Sequence, residues 1–167
     1  GTVQFRWGAG DDDLGRATLS RVPGTGNPAT DGPGTLAYVW DWTPGDLTEG
    51  TWNPGLNVRD GSGLSASLTR FIGIDRTGPD IGAITVGSSG GWQANNDITL
   101  NGLKSTADDG FGSGVASTQY SLDGQTWQST TADSLDLTLP EGENTVHLRS
   151  VDRVGNLGDV TQVPVNV

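Results

Sequence analysis

Apolar and polar positions alternate with a period of two over much of this chain, the pattern of half-buried β-strands. The alternation is clearest after residue 80. Residues 82–87 read as a short first strand, and 97–104 carry Ile98 and Leu100 two apart. Residues 115–122 set Tyr120 and Leu122 on one face. Asp123-Gly124 then offers the pair favoured at a type I′ hairpin turn, and 125–128 return. Leu135, Leu137 and Leu139 alternate in 134–139, Val146 and Leu148 in 145–151, and Val163, Val165 and Val167 in 161–167. Seven short strands in that span predict an immunoglobulin-like sandwich.

The N-terminal part is less regular. Val3, Phe5 and Trp7 alternate at the start, and Leu36, Tyr38, Trp40 and Trp42 share one face of a strong strand. A loop-rich stretch, 8–34, lies between them, with only 17–22 strand-like. Residues 55–60 and 64–75 resemble the last two strands of the C-terminal part. A gapless internal repeat explains that likeness. Residues 47–68 overlay 139–160 at an offset of 92. The overlay matches Leu47 with Leu139, Glu49 with Glu141, Gly50 with Gly142, Leu56 with Leu148, Asp60 with Asp152 and Gly63 with Gly155. The expected organisation is all-β: two tandem immunoglobulin-like β-sandwich domains, 1–78 and 79–167, the first minimal or truncated. The joint Asp75 to Asp80 contains one proline and one glycine, which predicts a limited hinge.

Composition narrows the function. Glycine (27) and proline (8) are abundant and only 17% of residues are charged, which argues against helical bundles and coiled coils. Twenty acids against nine bases give a net charge of −11, so nucleic acids and anionic membranes are not expected partners. Cysteine is absent, excluding disulfides and thiolate chemistry. No apolar run is long enough for a membrane helix. Methionine is absent even at position 1, so the chain is expected to be a piece of a longer protein.

No catalytic constellation emerges. The single histidine, His147, shares a strand face with Thr145 and Arg149, and there is no G-x-S-x-G elbow. The only glutamates are Glu49, Glu141 and Glu143, two of them in the repeated E-G turn. The chain is not expected to be an enzyme. Calcium takes six to eight oxygens, and carboxylates cluster at Asp11–Asp13, at Asp108-Asp109 and at the joint, Asp75 and Asp80. Asp152 or Asn156 would join if their loops fold toward the joint. None of these follows an EF-hand spacing. Seven of the eleven aromatic residues lie before residue 75, which raises a rival reading. Tyr38, Trp40 and Trp42 could form a flat glycan platform or fill a core. Trp52, in the turn-like 50–55, is the best exposed candidate.

Three stretches carry a family resemblance: GWQANNDITL, GSGVASTQYSLDGQTW and LPEGENTVHLRSVDRVGN. Together with the D-R-T-G-P joint at 75–79, they resemble the bacterial Ig-like repeats of large secreted and surface proteins. The match spans 80–167 well and 36–79 in part. Leu64 stands where the repeat has Asn156, so the first D-x-x-G-N signature is incomplete. The resemblance implies a non-catalytic spacer or presentation segment of an extracellular, adhesin-type bacterial surface protein. Its partners would be neighbouring domains of the longer chain, with a polysaccharide or cell-surface protein as further candidates. The alternative, motivated by the skew of aromatic residues toward the first domain, is a carbohydrate-binding accessory module of a multimodular secreted polysaccharide-active protein, acting through exposed aromatics of that domain. Trp127 and Tyr120 are expected in the core, and Asp152 and Asn156 at a tight turn.

Overall fold

The computed structural model describes residues 48–87 and 91–167 in full and the backbone of strands 3–11, 14–20 and 34–42. Among the described residues every element is a strand, and no helix is long and apolar enough to cross a membrane. The chain divides into two compact units, Gly1–Ile74 and Asp75–Val167.

The second unit is a two-sheet sandwich. Strands β8 (Thr85–Val86), β9 (Asp97–Asn101) and β12 (Ser134–Thr138) form a three-stranded sheet in the order β12-β9-β8. Strands β10 (Val115–Ser121), β11 (Gln128–Thr130), β13 (Glu143–Asp152) and β14 (Thr161–Asn166) form a four-stranded sheet in the order β11-β10-β13-β14. The inward residues of both sheets meet in one core: Ile98 and Leu100 from β9, Leu135 from β12, Val146 and Leu148 from β13, Val163 and Val165 from β14. Leu103 and Leu139 complete it. Each fully buried side chain of this kind contributes about 1.5–3 kcal/mol. Burial in β13 alternates without a break from Thr145 to Asp152, as a sandwich with one wet face per sheet requires.

The seven expected strands are present, with two shifts that loop hydrogen bonds explain. The strand at 97 stops at Asn101, because Gly102 takes φ +90°. The amides of Gly102 and Leu103 both turn to the Asp133 carbonyl, and Leu103 drops into the core. The Asp133 carboxylate accepts from the Ser105 and Lys104 amides and the Ser105 hydroxyl, which hold it below the usual carboxylate range. Instead of a two-residue turn at Asp123-Gly124, a loop of residues 122–127 joins β10 to β11, whose last ladder pair is Tyr120 with Gln128. The Asp123 carboxylate captures the amides of Thr126 and Gln125 and the Ser121 hydroxyl, an Asx-type closure. These bonds, the Thr126 amide foremost, hold the exposed Asp123 far below the usual carboxylate range. The ladder therefore ends before Leu122, which is 52% exposed although Tyr120 packs on the core.

In the first unit, β1 (Val3–Asp11) pairs antiparallel with β3 (Gly34–Trp42). Strands β2 (Leu14–Ser20), β5 (Gly55–Asp60) and β6 (Ser65–Thr69) form a sheet in the order β2-β5-β6, and β4 (Gly50–Trp52) pairs with β7 (Ile72–Ile74). Much of the expected 8–34 loop is thus strand. Residues 8–11 are held by the ladder to β3, with Gly8 opposite Ala37 and Gly10 opposite Thr35, and 14–20 by β5. Glycine and aspartate there read locally as turn, but ladder pairing outweighs that preference. Residues 21–33 lie outside the described residues.

The sequence repeat is also a repeat of local geometry. The Asp60 amide donates to the Leu64 carbonyl at 3.0 Å, and the Asp152 amide to the Asn156 carbonyl at 3.2 Å. The Leu64 and Asn156 amides return to the two carboxylates at 2.7 and 2.8 Å. Gly63 and Gly155 hold φ +95° and +96°, a left-handed conformation that explains the shared glycine. Leu56 and Leu148 are both buried. The turns differ in their side chains: the Ser62 hydroxyl donates to Asp60 where the second turn has Val154, Asn156 adds an amide bond to Asp152, and Leu64 lies 74% exposed.

Candidate functional site

The site with the most chemistry is at one loop end of the second unit. Asp75, its first residue, sends its carboxylate to the Ser113 amide and to the Asn156 side chain. Asp109, in the β9–β10 connection, accepts from the Gly114 amide. Asp152, at the end of β13, is 3% exposed and accepts from the amides of Val154, Gly155 and Asn156. One oxygen from each carboxylate lies within 4.8 Å of the others. The Asn156 amide bridges two of them, donating to Asp152 at 2.7 Å and to Asp75 at 3.3 Å.

Two effects oppose each other at Asp152. Burial, the largest single influence, raises its pKa. Hydrogen bonds from the Asn156 amide, the Asn156 side chain, Gly155 and Val154 outweigh burial and leave it lowered. Asp152 is thus held as an anion beside two other carboxyls. Each charged pair at such a separation repels by on the order of 3 kcal/mol at an effective dielectric of ~20. The donor set is all hard oxygen with no imidazole or thiolate, which suits calcium or magnesium rather than zinc. Three carboxylates with water completing the shell fit the ligand number calcium takes.

Of the five acids expected to bind metal, Asp75, Asp109 and Asp152 converge. Asp80 and Asp108 do not join them. These two pair through their backbones, at 2.8 and 2.9 Å, in an isolated bridge that leaves both exposed. The Asp108 carboxylate accepts from the Gly110 amide at 2.9 Å instead. Asp11 lies in β1, and residues 12 and 13 are outside the described residues.

The segment leading into the unit is fitted closely against the β13–β14 connection. A Cβ on Gly78 would collide with the Leu157 carbonyl, and one on Gly158 with the Pro79 carbonyl. Both obstacles are backbone and cannot rotate away. Gly158→Ala is expected to destabilise the second unit by roughly 1–3 kcal/mol, as overpacking does. Chemical denaturation should show a lower midpoint with an unchanged slope.

The aromatic candidates fare differently. Trp52 is not in a turn. It ends β4 opposite Ile72, half-buried, with its indole N–H donated to the Thr48 carbonyl at 3.0 Å. Tyr38, Trp40 and Trp42 sit at alternate positions of β3, whose register sets 38 opposite Trp7 and 40 opposite Phe5. Their side chains lie outside the described residues. Tyr120 packs on the core as expected and donates to Gln128 at 2.6 Å. Trp127 does not enter the core. It is half-buried on the other face, under the guanidinium of Arg149 at 4.1 Å. The alternation that sends Leu148 inward sends Arg149 outward, and Trp127 meets it there.

Fold and site together define a β-sandwich module with an acidic loop end. No family model and no curated protein matches the chain. Solved structures similar to it include the fibronectin(III)-like modules of Clostridium thermocellum CbhA, at 12% identity and a TM-score of 0.42, covering 98% of this chain and 85% of that one. Another is the Bacteroides ovatus mixed-linkage glucan utilization locus protein SGBP-B in complex with a mixed-linkage heptasaccharide. It shows 16% identity and a TM-score of 0.22, covering 99% of this chain and 41% of that one. Neither likeness is close enough to carry an argument. The sandwich assignment rests on the strand pairing and core above, and the Ig-like resemblance rests on its motif residues.

Proposed function

We propose that the chain is a non-catalytic spacer segment of an extracellular bacterial surface protein, in which tandem sandwich units position other domains. The observation that carries this reading is the absence of slack in the connection. Ile74 is still paired, with Gly50, in the first unit, and the very next residue, Asp75, is hydrogen-bonded within the second. Small-angle scattering combined with spin-label distances across the two units should give one narrow distribution. A broad distribution sinks the spacer reading.

The same reading places a divalent cation, calcium by ligand chemistry, at Asp75, Asp109 and Asp152. It would relieve the repulsion among them and fasten the lead-in segment. After a chelator wash, millimolar calcium is expected to raise the unfolding midpoint of the second unit by several degrees, since binding only the folded state stabilises it. Asp109→Asn should abolish that rise. An unchanged midpoint returns the three acids to a structural role.

The alternating Tyr38, Trp40 and Trp42 of β3 favour a second reading, a carbohydrate-binding accessory module. Glycan titration followed by tryptophan fluorescence tests it, with Trp52→Ala as the control variant. No response across neutral and charged glycans removes it.

A further inference from the structure

The outer face of the four-stranded sheet carries a feature that neither the spacer nor the cation reading uses. Arg149 projects from β13 between the inward Leu148 and Ser150. Its Nε donates to Oε1 of Gln119, its direct cross-strand partner, at 2.8 Å, and its guanidinium lies over Trp127 at 4.1 Å. Two contacts on one side chain restrain where the guanidinium lies. Among the described residues no carboxylate meets its terminal nitrogens, in a chain with twenty acids. The ladder positions around it that reach solvent are mostly polar and uncharged, Ser117, Ser129 and Gln162, with His147 two residues to one side on β13 and Val151 two residues to the other; Ser121 is buried, and its hydroxyl donates to Asp123. The one acid on this face of β13 is Glu143, six residues off, roughly 20 Å along a strand.

We propose that this face binds the carboxylate of a uronic-acid-bearing polysaccharide, with Arg149 as the anion-recognising residue and Gln119 and Trp127 as positioning residues. A guanidinium held at Nε and stacked on a ring offers its two terminal nitrogens as a planar fork, which matches a carboxylate bidentately. Pre-orientation lowers the ordering cost of binding. The sugar, rather than an acidic peptide, follows from the rest of the surface. The Ser117 and Ser129 hydroxyls and the Gln162 amide suit sugar hydroxyls. Among the described ladder positions around Arg149 only Val151 is apolar, which gives little for the buried anchor on which protein interfaces depend.

The test uses the whole chain with a short oligogalacturonate, a neutral oligosaccharide of equal length and an oligoglutamate. NMR resonances of the Arg149 Nε–H and the Trp127 indole N–H are followed. The oligogalacturonate alone is expected to shift both. Arg149→Lys, which keeps the charge but loses the fork, should weaken binding about tenfold or more. Gln119→Ala, which leaves the fork but frees its orientation, should weaken it roughly threefold. Backbone amide spectra confirm that each variant is folded. No shift with oligogalacturonate, an equal shift with the neutral sugar, or a stronger one with oligoglutamate overturns the proposal. The last outcome would assign the face to a protein partner.

Discussion

Asp152→Ala is expected to destabilise the second unit by roughly 2–4 kcal/mol, because it strips a buried acceptor from three backbone amides and one side-chain amide. Removing one partner leaves the others unsatisfied where water reaches poorly, which costs more than the bonds themselves contribute. A midpoint fall of about 10–25 °C in thermal unfolding would correspond. The repeat supplies an internal control. Asp60 performs the same turn closure in the first unit without an asparagine bridge and with weaker burial. Asp60→Ala should therefore cost clearly less than Asp152→Ala. Equal losses at the two positions would show that the asparagine and the burial around Asp152 contribute nothing.

The same residue predicts an acid dependence. Its carboxyl is held below the ordinary 3.8, as are those of Asp60, Asp123 and Asp133. A group with a depressed folded-state pKa contributes stability that is present above the unfolded value and lost as pH falls through the folded value. Stability should therefore be flat near neutrality and decline below about pH 4. Asp152→Asn, which cannot titrate, should be less stable than the parent at pH 7, with the gap closing toward pH 2. A gap independent of pH would exclude charge at this turn as the cause.

Leu148→Ala is the second large effect. Leu148 is fully buried between the two sheets and contacts both through the shared core. Its truncation removes transfer energy and leaves a cavity that a sandwich pinned by two ladders cannot collapse, an expected loss of about 3–5 kcal/mol. That is a large part of the stability of a domain this size, and urea unfolding of the second unit should move to much lower concentration. Leu56 is its repeat partner, buried to 9% exposure, but the strand paired beyond it, β6, is exposed at every position. Leu56→Ala should cost nearer 2 kcal/mol. A larger loss at Leu56 than at Leu148 would contradict this ranking of the two sites.

Strand alternation, glycine-marked turns and the repeated L-x-E-G and L-x-x-x-D-x-x-G text were sufficient for the all-β class, for the seven strands of the second unit and for the equivalence of the turns at Asp60 and Asp152. These are local properties. A period of two follows from the pleat, and an Asx-type turn is closed by atoms within four residues of one another. Alternation alone would have placed Arg149 outward, but it does not say which ring the guanidinium meets. Trp127 follows a loop whose length was set by how Asp123 captured its amides, and its face could not be counted from the strand before it.

What the tertiary structure decided is which distant groups meet. Asp75, Asp109 and Asp152 are far apart in sequence and come together only because the lead-in segment packs on the β13–β14 connection through Gly78 and Gly158. Asp80 and Asp108 were as plausible by composition, yet a single backbone bridge turns them outward. The strands at 8–11 and 14–20 exist because β3 and β5 complete their ladders, not because glycine and aspartate prefer to be extended. Hydrogen bonds between strands and contacts across a sandwich join residues that no local pattern relates, so the composition of a site waits on the fold while the elements that carry it do not.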